Sequence, residues 1–86
     1  MAALAPIPAR LLKQMLEADG YLVKHEDDDN WIMDRGPDDE ILNIPKYGDP
    51  EHGNVMALEV MDSLLAKARI TDRKYFDLLE RISRLP

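Results

Sequence analysis

Residues 21–45 read YLVKHEDDDNWIMDRGPDDEILNIP. Three short runs rich in β-branched, aromatic and aliphatic residues stand at 21–25, 31–33 and 41–44. Between the first two lie Glu26, Asp27, Asp28 and Asp29, whose adjacent carboxylates repel and oppose a strand interior. Between the second and third lies Gly36-Pro37-Asp38-Asp39, a strong turn signal, and Pro45 stops the last run. Strands this close together pair as an antiparallel meander, because parallel pairing needs a long crossover.

Outward from this stretch the pattern is helical. Pro6 and Pro8 can open a helix, and Leu11, Leu12, Met15 and Leu16 form one apolar stripe over residues 8–18. Asp19-Gly20 ends it, with Gly20 in the left-handed position after the cap. Residues 46–53 read as a loop, and Asn54 as the cap of a second helix over 55–68. That helix offers Val55, Met56, Val60, Met61, Leu64, Leu65 and Ala68 to the core. Thr71 caps a third helix over 72–83, with Tyr75, Phe76, Leu79 and Ile82 on its apolar side. The order α-β-β-β-α-α defines an α+β fold, a three-stranded antiparallel sheet with helices packed on one face. The 86 residues form a single domain, 1–86, with a flexible start over 1–7.

The net charge of −6 is uneven: residues 17–51 hold twelve acids against three bases, a net −9. Such a field repels phosphate and favours cationic partners, so direct nucleic-acid binding is not expected. There is no cysteine, hence no disulfide framework and no thiolate metal site. No apolar run is long enough to span a membrane, and the apolar start lacks a basic flank, so the chain reads as cytoplasmic. Glu26 to Asp29 fail the calcium-loop pattern, because Trp31 takes a ligand position and the glycine is missing; no metal or cofactor is assigned.

The local words and their order resemble the HicA toxin family, also called YcfA-like proteins. LLKQMLEADGY (11–21) is similar to the family's opening helix. The Pro-ended strand at 41–45 and LLAKARIT (64–71), with the helix after it, look like its later segments. The resemblance implies a fold like the double-stranded RNA-binding domain and, for active members, an mRNA-cleaving toxin of a toxin–antitoxin pair. The family's functional signature is Gly-Ser/Thr-His at the start of the second strand. Here that stretch is Asp27-Asp28-Asp29-Asn30-Trp31, so Asp29 or Asn30 stands where the histidine belongs and the glycine is absent.

The expected function is therefore a non-catalytic HicA-like interaction module. Its acidic surface faces a protein partner, as an inhibitor or a mimic of nucleic-acid charge. The alternative is a divergent mRNA-cleaving toxin that uses His25, the one weak catalytic candidate, near the end of strand one. His52 reads as a solvated loop residue. The partner-binding residues are Glu26, Asp27, Asp28, Asp29, Trp31, Asp38 and Asp39. If strand two alternates, Trp31 and Met33 share a face. Either Ile32 is the core residue and Trp31 lies on the open face, or Trp31 itself is core. The partner is a cationic protein, a HicB-like antitoxin or a second copy of the chain.

Overall fold

The computed structural model describes residues 7–47 and 55–84. Helix α1 (Ala9–Ala18) starts after Pro8, whose φ of −58° already suits a helix. It ends where Gly20, at φ +101°, lets two backbone hydrogen bonds close. Gly20 N–H donates to Glu17 O at 3.1 Å and Tyr21 N–H to Leu16 O at 3.0 Å. This is the left-handed termination that the Asp19-Gly20 pair predicts. Helix α2 (Leu58–Lys67) ends with the same two bonds, Arg69 N–H to Ala66 O and Ile70 N–H to Leu65 O, but with Arg69 at φ 58° in the glycine position. Helix α3 (Asp72–Ser83) is capped by Thr71, whose hydroxyl accepts from Lys74 N–H at 3.3 Å.

Strands β1 (Leu22–Glu26), β2 (Asn30–Asp34) and β3 (Leu42–Pro45) form one antiparallel sheet in the order β1-β2-β3. The α+β layout is therefore as expected: helix, three-stranded meander, two helices. Tyr21, read as the first residue of strand one, lies just before it and is fully buried.

Three expectations are corrected. Helix α2 begins at Leu58 rather than 55, because Val55 bridges Pro8 and Met56 N–H donates to Ile7 O, which holds these residues extended. The predicted cap Asn54, and His52, lie outside the described residues. Ile7 is buried and hydrogen-bonded rather than part of a flexible start, whereas residues 1–6 are outside the described residues. On α3 the buried stripe is Tyr75, Leu78 and Ile82, while Phe76 is exposed and meets Tyr75 edge-on at 5.2 Å. Both stripes satisfy helical spacing, and the side turned toward α1 decides between them.

The register fixes the two faces of the sheet. Trp31 pairs with Ile44 and Met33 with Leu42; all four are buried under the helices. Ile32 pairs with Asn43 on the other face, which no described helix covers. On β1 the pairing runs Val23 to Met33 but His25 to Ile32, so Lys24 is an extra residue in a β-bulge. The bulge turns His25 to the open face with Ile32 and brings Glu26 opposite Trp31 on the helix side.

Candidate functional site

The first turn combines a folded frame with free charge. Asp27 Oδ1 accepts from Asp29 N–H at 2.8 Å and Asn30 N–H at 2.7 Å, and Asp27 N–H donates to Asn30 O at 3.0 Å. Asp27 is thus the internal cap of the hairpin, and those backbone bonds hold its carboxyl below the usual carboxylate range. Glu26, carried to the helix side by the bulge, accepts from Lys46 Nζ at 2.5 Å. That bond is the largest cause of its lowered pKa, and Lys46 is raised in return. Asp28 and Asp29 are exposed and form no ion pair among the described residues.

The second turn is built differently. Asp34 Oδ1 accepts from Gly36 N–H at 2.7 Å and fixes its start. Asp39, expected on the partner surface, is instead drawn inward: its side chain is 16% exposed. Arg35 donates to both its oxygens, Nε at 3.1 Å and Nη2 at 3.2 Å, and Arg69 binds it from α2's C-terminus. The fork of one guanidinium on one carboxylate explains the correction, since Asp39 is the group that docks this turn to the helices. Arg35 also binds Asp19 at the end of α1, donates to Ala68 O at 3.2 Å, and lies 4.6 Å over the Tyr21 ring. Lys74 of α3 reaches Asp19 at 2.7 Å. One arginine therefore ties the C-terminal ends of α1 and α2 to the β2–β3 turn, and Lys74 joins α3 to the same cluster through Asp19. The Arg35 bond is the first cause of Asp39's lowered pKa, and burial raises that of Tyr21, whose hydroxyl has no hydrogen-bond partner among the described residues. Asp38 and Glu40 stay exposed and without an ion pair among the described residues.

Trp31 is the second correction. It is 9% exposed on the helix side, so it is not an anchor on the open face. The alternation that buries Met33 buries it too. Lys13 and Lys46 stand 5.3 and 5.6 Å from its ring centroid. With Arg10, Glu26 and Tyr47 it borders a cleft of about 420 Å³, which the sequence reading missed because its walls come from α1, the sheet and the chain after β3. His25 is exposed on the open face opposite Ile32. Asp29 and Asn30 donate their backbone N–H groups to Asp27 in the hairpin turn. Among the described residues no group of three His, Asp or Glu side chains is placed to hold a metal ion. No described helix is long and apolar enough to cross a membrane.

No family model matches this chain, and no curated protein or solved structure is similar to it at a significant level.

Proposed function

We propose that the chain is a non-catalytic protein-interaction module on a HicA-like scaffold, which offers an acidic surface to a cationic protein partner. One observation carries this reading: the carboxylates divide into committed and uncommitted groups. Asp19, Glu26, Asp27 and Asp39 are held by lysine, arginine or backbone N–H. The side-chain carboxylates of Asp28 and Asp29 at one end of the sheet, and of Asp38 and Glu40 at the other, have no partner among the described residues. Folding does not need these four charges, and their mutual repulsion opposes it. They are suited to steering a cation, as an inhibitor or a mimic of phosphate charge does. A HicB-like antitoxin or a second copy of the chain are narrower forms of the partner.

The test is a pair of fluorescence-anisotropy titrations at about 150 mM salt, one with an arginine-rich peptide and one with single-stranded and duplex RNA. The proposal expects saturable binding of the peptide and none of the RNA. Low-micromolar RNA binding, with growth arrest on expression that His25→Ala abolishes, establishes the toxin alternative instead.

A further inference from the structure

We infer that the face of the sheet that no described helix covers is a docking site for a short, amphipathic, basic helical segment of a partner protein, whose arginine sits on Asp34. The inference rests on the interaction-module reading and adds where the contact is made and with what chemistry.

Leu22 and Asp34 pair across β1 and β2, so they share a face. Ile41 immediately precedes Leu42, which points to the helices, so alternation sets Ile41 on the open face as well. Leu22 and Ile41 are 60% and 64% exposed, among the most exposed large apolar side chains described. Ile32, half-buried, lies behind them on β2. Strands are about 4.8 Å apart, so Leu22 and Ile41 stand roughly 10 Å apart with Asp34 midway. One Asp34 oxygen is taken by Gly36 N–H, and no cation pairs with the carboxylate among the described residues.

A groove of about 330 Å³ runs here, lined by Leu22, Lys24, Asp34, Arg35, Gly36 and Pro37. The Arg35 guanidinium is committed to Asp19 and Asp39. Lys24, placed here by the bulge, is the remaining cation. Its charge weakens the attraction of a purely ionic ligand, so apolar contact with Leu22 and Ile41 must contribute. The uncommitted acids at both ends of the sheet supply the field that draws a basic segment in.

The occupant's size and spacing follow. Three strands of about five residues cover roughly 14 by 16 Å, on the order of 230 Å². A stable dimer interface needs about 800 Å² from each partner, so the face is sized for a peptide segment rather than a second copy. Two chains of charge −6 also repel. On a helix, residues i and i+7 are about 10.5 Å apart, which spans Leu22 to Ile41 and leaves i+3 or i+4 above Asp34. The arginine's aliphatic stem covers the leucine while its guanidinium forks onto the carboxylate.

The experiment titrates the isotope-labelled protein with a 14-residue probe peptide, leucine at i and i+7 and arginine at i+3 and i+4, followed by amide NMR shifts. A scrambled peptide of the same composition is the control. The largest shifts are expected at Leu22, Ile32, Asp34 and Ile41, with the scrambled peptide about tenfold weaker. Asp34→Asn keeps the acceptor for Gly36 N–H and removes the charge; it weakens binding about three- to tenfold. Leu22→Ser with Ile41→Ser weakens it about tenfold or more. Unchanged affinity in both variants overturns the inference. Shifts confined to residues 27–29 overturn it while leaving the interaction-module reading intact. Failure of every basic peptide to bind removes both. Self-association of the free protein through Leu22 and Ile41 replaces the basic segment with a second copy and also overturns it.

Discussion

The two turns of the sheet are both acidic, but they employ their carboxylates differently. The β1–β2 turn leaves Asp28 and Asp29 in water and uses only Asp27, through backbone bonds, to close itself. The β2–β3 turn folds Asp39 inward under Arg35 and leaves Asp38 and Glu40 outside. The difference lies in what surrounds each. The second turn meets the C-terminal ends of α1 and α2, which bring Asp19, Ala68 O and Arg69 to one guanidinium. Beside the first turn, Lys46 is the one cation that hydrogen-bonds or pairs with an acid among the described residues, and it is taken by Glu26. An acidic run is therefore left uncommitted only where the fold supplies no cation of its own.

The largest effect that this comparison predicts is at Arg35. Arg35→Met removes the cation shared by Asp19 and Asp39, 8% and 16% exposed, and leaves them only the more exposed Lys74 and Arg69. Urea unfolding should show a loss of about 2–3 kcal/mol, less than for a fully buried pair because water reaches the cluster. A loss below about 0.5 kcal/mol breaks the distinction between the turns.

Acid sensitivity sharpens it next. The carboxyls of Asp39, Asp27 and Glu26 are held below their ordinary values in the folded state, by Arg35, by the backbone of the first turn and by Lys46 respectively. Their contribution is complete above the unfolded carboxylate pKa of about 4, and is lost as pH falls through the lower folded values. Melting temperature should thus fall on acidification below about pH 4. The fall should be shallower in Arg35→Met, which removes the chief cause at Asp39. An identical slope in the two proteins separates the acid response from the second turn.

Much of this fold is legible in the sequence. Gly20 and Thr71 mark helix ends by their own local chemistry, and the turn residues divide 21–45 into three strands. The site is less legible, because its contacts are long-range. Nothing local indicates that Arg35 will meet Asp19, Ala68 and Asp39 together. The bulge at Lys24 is equally silent, yet that one residue decides that His25 faces outward and Glu26 turns toward Trp31. Trp31 had two permitted faces, and only the packing of α1 against the sheet chooses between them.

Smaller effects complete the contrast. Asp27→Ala should lower the melting temperature by roughly 5 °C, whereas Asp27→Asn, which keeps the acceptor oxygen, should change it little. Equal loss in both variants assigns the role to charge rather than to the hydrogen bonds. Tyr21→Phe removes a buried hydroxyl without a hydrogen-bond partner among the described residues and should be neutral or stabilising by up to about 1 kcal/mol in urea unfolding. A clear destabilisation means that the hydroxyl is bonded to a water.

The most direct measurement is the association rate of the 14-residue basic peptide with Asp28→Asn/Asp29→Asn, set beside wild type from about 50 to 300 mM salt. Asp27 stays in place, so the hairpin keeps its cap. The account predicts an unchanged melting temperature, an on-rate several-fold slower at low salt, and convergence of the two proteins as salt rises. On-rates equal to wild type at every salt concentration, or a marked loss of stability, would contradict it: the first turn would then be either idle surface or part of the fold's own support.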